Sequence, residues 1–121
     1  MTWEYSQATG VLRHNGSIVA HGYSGVGSGL NAPSMQQVER VGPIPEGFYR
    51  INGYNNHRGP YTIILDPIAG TNTFGRSAFR IHGDNASKPP NSSSEGCIVI
   101  NGSGIRQSIL NSGDSILRVV P

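Results

Sequence analysis

The sequence predicts a mainly β domain, a sandwich or barrel-like fold, with one short helix near its end. Three observations lead there. Short runs rich in β-branched and aromatic residues recur at roughly ten-residue spacing. Seventeen glycines and eight prolines punctuate 121 residues, which is turn-rich composition. Only one window, late in the chain, carries helical periodicity. The length fits one domain over 1–121 with one hydrophobic core, and no internal repeat or boundary divides it.

The elements follow in order. Trp3 to Ser6, Val11 to His14 and Ser17 to Tyr23 read as a three-stranded meander, because Asn15-Gly16 is a strong two-residue hairpin signal: both residues tolerate positive φ. Residues 24–35, S-G-V-G-S-G-L-N-A-P-S-M, read as a loop, and V-G-P-I-P-E-G ends it before a strand from Phe48 to Asn52. Tyr61 to Leu65 is a strand closed by Asp66-Pro67. Phe79 to His82 and the apolar run Cys97 to Ile100 flank a loop rich in Ser, Asn and Pro. Gly104 to Leu110 places Ile105, Ile109 and Leu110 on one helical face, Gly113 stops it, and Ser115 to Val120 is the last strand.

Composition excludes several functions. Charged residues are 13% and the formal charge is +2, with Lys and Arg scattered, so the sequence lacks the basic face of a nucleic-acid binder. The single cysteine rules out an internal disulfide and any zinc site built on two thiolates. The opening M-T-W-E-Y-S lacks the basic and apolar regions of a signal peptide, and no run approaches the ~20 apolar residues of a membrane span. The chain as given is expected to be soluble and, if it acts outside the cytoplasm, to leave by a route that reads no classical signal or to have lost one.

The chemistry lies in F-R-I-H-G-D-N-A-S-K-P-P-N-S-S-S-E-G-C-I-V-I, residues 79–100. His82 closes one run and Cys97 opens the next, so neighbouring strands would bring a thiol and a base together at one rim of the sheet. A thiolate attacks carbonyl carbon, and an adjacent imidazole supplies it near neutral pH. Gly96 lets the backbone turn sharply, so that the N–H groups of Gly96 and Cys97 are candidates to face a developing oxyanion. Ser94 is a candidate to hydrogen-bond the loop or the site from below. Taken singly, a Cys that opens an apolar run also fits a buried small hydrophobe, and a His after a strand fits a surface residue. The polar, Gly-containing approach S-S-S-E-G-C is what a buried filler does not need.

The remaining histidines read more simply. His14 precedes a hairpin turn and His57 lies in N-N-H-R-G-P, so both are expected to be solvated. A metal set of His21, His82, Asp84 and Cys97 lacks the close ligand spacing that marks such sites. G-V-G-S-G at 25–29 lacks the Lys-Ser/Thr of a phosphate loop.

H-G-D-N followed by S-E-G-C-I-V-I resembles the active-site signature of L,D-transpeptidases, in which a His precedes S-x-G-C and a β-strand follows the Cys. V-G-P-I-P-E-G-F-Y-R-I resembles that family's T-P-x-G-x-F-x-I segment. The opening W-E-Y-S-Q-A-T-G-V-L-R-H-N-G-S-I-V-A looks like its first hairpin, and residues 104–120 look like its closing helix and strand. Two departures stand out: Glu95 replaces the common second His, and Ile98-Val99-Ile100 offers no Arg or Asn just after the Cys. Together with the short interval between His82 and Cys97, these features resemble a smaller branch of antibacterial effectors exported by type VI secretion, through G-R-S-A-F-R-I-H-G-D-N.

The resemblance implies an L,D-transpeptidase-like β-sandwich and an L,D-carboxypeptidase or L,D-transpeptidase acting on peptidoglycan stem peptides, without cofactor or metal. Cys97 would attack the carbonyl joining diaminopimelate to the terminal D-alanine, with His82 as base, and a carbonyl favoured over Asp84 as the group that orients His82. The usual carboxylate-binding Arg is missing, which leaves Arg76, Arg80 and Arg106 as candidates, with Asp84 a further residue of the substrate site. The implied site of action is the periplasm, in a target cell after secretion, with an immunity protein as a partner and a monomer as the working state. Sortases, which also place His before Cys on a β fold, are the nearest enzymatic rival. A non-catalytic wall-binding or phage-tail module is the rival of another class.

Overall fold

The computed structural model describes residues 2–56, 59, 61–85, 87–89 and 91–121. Among them, the strands are β1 (Trp3–Ser6), β2 (Val11–His14), β3 (Ser17–His21), β4 (Tyr23–Ser24), β5 (Gly47–Asn55), β6 (Thr62–Pro67), β7 (Arg80–His82), β8 (Ile98–Val99) and β9 (Ile116–Val120). One α-helix, α1 (Ser103–Asn111), precedes β9. The expected mainly β fold with one short helix is the one found.

All the strands share one sheet, in the order β3-β2-β1-β9-β5-β6-β7-β8-β4. Its two end strands, β3 and β4, are consecutive in the chain with only Gly22 between them, so the sheet curls nearly closed. Glycine is required at that junction. A Cβ on Gly22 would stand 2.2 Å from the Val99 carbonyl oxygen, and one on Gly10 would stand 1.9 Å from the carbonyl oxygen of Gly22. The expected single strand from Ser17 to Tyr23 is therefore two: β3 pairs with β2, whereas Tyr23 and Ser24 pair with β8.

The meander is present, and Asn15 and Gly16 turn it with φ of 52° and 84°, which matches the twist of the flanking strands. The loop over 24–35 contains two 3₁₀ turns, Gly27–Gly29 and Pro33–Met35. Strand β5 runs beyond Asn52 because a bulge between Ile51 and Tyr54, with Gly53 at positive φ, absorbs what would otherwise be a stop. Strand β6 likewise continues through Asp66 and Pro67, where Pro67 lies opposite Tyr49.

The core is gathered from alternate positions of these strands, including Tyr5, Leu12, Tyr49, Ile63, Ile81, Ile98 and Leu117. Helix α1 adds Ile109 to it, with Ile105 and Leu110 packed alongside. This is the face its spacing predicts, and Arg106 is buried with it. His14 is not a solvated loop residue: it lies in β2, stacks on Trp3 with ring centroids 4.0 Å apart and pairs with Asp114. His21 is exposed on β3, and His57 lies outside the described residues.

Candidate active site

Strands β7 and β8 are neighbours, and they run parallel, with Ile81 opposite Ile98 and His82 opposite Val99. In an antiparallel pair, the end of one strand and the start of the next would share a rim. The expectation of one shared rim is therefore corrected: in the parallel pair His82 ends β7 at one end and Cys97 precedes β8 at the other, because the two strands run in the same direction. Cys97 lies in the bend immediately before β8.

The turn that presents Cys97 is locked from beneath. Ser94, fully buried, accepts from the N–H groups of Gly25 (2.9 Å) and Gly96 (3.2 Å), and donates to the Cys97 carbonyl (2.6 Å). Ser24 donates to the same carbonyl at 2.8 Å and accepts from Ile44 N–H. Ser94 thus holds the loop backbone. The Gly96 N–H, expected to face an oxyanion, is instead turned inward onto the Ser94 hydroxyl, because φ of 123° at Gly96 rotates it there. Among the residues expected from sequence, that leaves the Cys97 N–H as the oxyanion candidate.

His82 is 3% exposed and directs Nδ1 at the Gly83 carbonyl at 2.8 Å. A carbonyl only accepts, so Nδ1 carries the proton and Nε2 is the basic nitrogen. Asp84 is engaged elsewhere: it accepts from the Tyr23 hydroxyl and from Asn101 Nδ2, while its own N–H donates to Asn101 Oδ1. Burial pushes the Asp84 carboxyl up, but hydrogen bonds from Tyr23, Asn101 and Ser93 and the charge of His82 outweigh it and hold it below its ordinary value. Asp84 therefore braces the loop after His82 and contributes its charge there. Desolvation, then the Asp84 hydrogen bond, raises the Tyr23 hydroxyl.

The thiol opens onto a cleft of about 230 Å³, bordered by Glu39, Arg40, Arg76, Ala78, Arg80, Glu95 and Gly96 among others. Cys97 is half-buried, with Sγ 3.8 Å from the Ala78 carbonyl oxygen. Ala78 and Arg40 both hold positive φ, 64° and 65°, a conformation costing an L-residue roughly 1–2 kcal/mol. Such strain concentrates where a backbone group must be aimed.

The three candidate arginines are separated by the structure. Arg106 is 5% exposed, does not border the cleft, and donates to the carbonyls of Tyr61 (3.2 Å) and Ile100 (2.6 Å). It lies over Gly83, where a Cβ would meet its Nη1 at 3.1 Å. Arg76 borders the cleft but is 6% exposed, donating to the carbonyls of Gln36, Gly42 and Pro43. Burial lowers the Arg76 guanidinium from its ordinary value, against the opposing pull of Tyr49, Glu39 and Cys97. Arg80 also borders the cleft, and its closest acceptor is the Ala78 carbonyl at 3.4 Å. Asp84 does not border the cleft. Among the described residues, no three His, Cys, Asp or Glu side chains gather as metal ligands, and His21, His82, Asp84 and Cys97 do not form such a group.

Sequence reasoning missed Ser24, Tyr23 and Asn101. Ser24 and Tyr23 reach the site from about seventy residues away through the β4–β8 pairing, and no local pattern announces it. The Tlde1 domain family model matches residues 18–115. The chain belongs to the Tlde1 domain family. Its match spans β3 to the turn before β9, and so contains Cys97, His82 and every residue that borders the cleft. Neither a curated protein nor a solved structure matches the chain.

Proposed function

We propose that this Tlde1 domain is a cysteine L,D-carboxypeptidase or L,D-transpeptidase of peptidoglycan stem peptides, working as an antibacterial effector delivered by type VI secretion. The observation that carries the reading is the orientation of His82. Its Nδ1 proton is held by the Gly83 carbonyl, so its basic nitrogen is Nε2, and it ends the strand that pairs with β8, the strand that directly follows a half-buried thiol opening onto a cleft. Membership in the family supports the effector assignment.

In this reading, His82 Nε2 takes the thiol proton and the Cys97 thiolate attacks the carbonyl carbon between diaminopimelate and D-alanine. The carbonyl oxygen takes up the charge facing the Cys97 N–H, within the field of Arg76. Collapse breaks the peptide bond. His82 gives its proton to the departing D-alanine amine, and an acyl-thioenzyme remains. Water, deprotonated by His82, then releases a tripeptide stem; an amine in its place gives exchange or a cross-link.

The test is incubation with purified tetrapeptide muropeptides, followed by mass analysis. Loss of one D-alanine, abolished in folded Cys97→Ser and His82→Ala variants, is expected. No mass change with the folded wild type would sink the assignment, as would turnover retained in either variant. Sorting-signal peptides as the preferred substrate would move it to sortase chemistry.

A further inference from the structure

A groove of about 810 Å³ lies beside the thiol cleft and takes no part in the thiol chemistry. The two share a wall. Asn72 and Phe74 border the groove, while Arg76, Ser77 and Ala78, further along the same segment, border the cleft. Arg76 also donates to the carbonyl of Gln36, which borders the groove. Two phenyl rings stand in water there: Phe48 is 47% exposed and Phe74 44%. Phe74 holds the left-handed region, with φ of 55°, in a turn where its N–H donates to Asn72 Oδ1. A bulky residue is strained in that region, and folding gains little from a ring left exposed. Backbone strain of this kind collects at ligand sites.

We propose that this groove binds the uncharged sugar strand that carries the stem peptide, with Phe48 and Phe74 as its platforms. The inference rests on the peptidoglycan reading above. Pyranose rings present apolar C–H faces bordered by hydroxyl and acetamido groups, and the groove offers the matching mixture. Its phenyl rings supply flat apolar surface, while Glu46, Asn72 and Arg118 supply hydrogen-bonding groups. Arg118 lies over Phe48, 5.9 Å from the ring centroid, which helps to fix that ring. The two charged side chains, Glu46 and Arg118, are opposite in sign, which favours an uncharged ligand over an acidic or basic one. A peptide cannot add here as a strand. Strand β5 already lies between β9 and β6, and Thr71 Oγ1 serves both the N–H and the carbonyl of Phe48 at 2.9 Å.

The spacing agrees. Phe74 and Ala78 are four positions apart, at most about 14 Å of chain, and a turn closed by the Arg76 N–H on the Thr73 carbonyl shortens it. The Ala78 carbonyl oxygen lies 3.8 Å from Cys97 Sγ. In a stem cut after its third residue, the sugar stands about 10 Å from the attacked carbonyl when the peptide is extended.

The first test titrates the isotope-labelled chain with chitotetraose, a neutral chain of N-acetylglucosamine, and follows the amide shifts. Saturable shifts are expected at Phe48, Thr71, Asn72, Phe74 and Arg118. Phe74→Asn tolerates positive φ and Phe48→Thr suits a strand, so both should keep the fold and each should weaken binding at least about 10-fold. No saturable shift, shifts centred elsewhere, or affinity undiminished in both variants overturns the proposal. So does a dimer that forms with concentration and dissolves in Phe74→Asn, which would give the groove to a second copy.

The second test separates the groove from the activity. Wild type should cleave a disaccharide tetrapeptide roughly 10-fold better in kcat/KM than the sugar-free tetrapeptide. Phe74→Asn should lose that preference while cleaving the sugar-free peptide as wild type does. Equal use of the two by active wild type overturns the proposal. If wild type cleaves neither, the proposed activity falls, and the chitotetraose titration alone decides the groove.

Discussion

Gly96 lies directly against Arg76: a Cβ at position 96 would stand 2.2 Å from the guanidinium Nη2. The residue before Cys97 and the buried cation beneath it therefore form one contact. With φ of 123°, Gly96 also holds a backbone conformation that L-residues rarely adopt. Gly96→Ala should lower stability by about 2 kcal/mol, from the strained backbone and the displaced guanidinium together. Urea denaturation measures it. A variant as stable as the wild type would show that the turn tolerates a side chain, and that the contact is looser than its geometry.

Arg76 should act on Cys97 through charge. The guanidinium is buried beneath the thiol's turn, and Cys97 is among the groups that favour its charged form. The interaction is reciprocal, so a cation there favours thiolate over thiol. Arg76→Met should move the pH midpoint of iodoacetamide labelling upward and cost about 3 kcal/mol of stability, as the carbonyls of Gln36, Gly42 and Pro43 lose their donor. Arg76→Lys should keep the midpoint nearer to that of wild type while losing part of the stability. A labelling profile unmoved in a folded Arg76→Met variant would confine Arg76 to a structural role.

Asp84 predicts an acid limit. Its carboxyl is held below the ordinary value, because bonds from Tyr23, Asn101 and Ser93 and the His82 charge exceed the effect of burial. A depressed carboxyl gives stability that is full above its unfolded value, about 4, and fades as pH falls through the lower folded value. Asp84→Asn should remove that portion of the pH dependence and leave the neutral baseline lower. Tyr23→Phe should raise the carboxyl toward its ordinary value. Carboxyl chemical shifts across a titration follow both, and an Asp84 midpoint unchanged by Tyr23→Phe would break the account.

The legible parts of the sequence were those fixed by local rules. Asn15-Gly16 announced its hairpin, and Ile105, Ile109 and Leu110 announced the buried face of α1, because turn sterics and helical period act over a few residues. His82 and Cys97 stood out through the polar loop between them. The parallel sense of β7 and β8 was not legible, since parallel partners are chosen by the whole sheet. The break at Gly22 was hidden for the same reason: it answers to Gly10 and Val99, which come near only in the closed sheet. Telling Arg76 and Arg106 apart from Arg80 needed their carbonyl partners, and Pro43, Gly42 and Tyr61 lie 33, 34 and 45 residues away in the chain.

The two serines beneath Cys97 can be ranked. Both donate to its carbonyl, but Ser94 also accepts from Gly25 and Gly96, whereas Ser24 accepts from Ile44 alone. Removing a hydroxyl strands each buried group that it served, at about 1–3 kcal/mol apiece. In either single variant the other serine still serves the Cys97 carbonyl, so the stranded N–H groups make the difference. Ser94→Ala should therefore be the more destabilising, by roughly the cost of one buried N–H. It should also disturb the Cys97 thiol more, because the Ser94 hydroxyl holds the N–H of the residue just before it. Paired urea titrations give the stability order, and iodoacetamide labelling gives the effect on the thiol. If Ser24→Ala proves the costlier change, the Cys97 turn hangs from β4 instead of from its own loop.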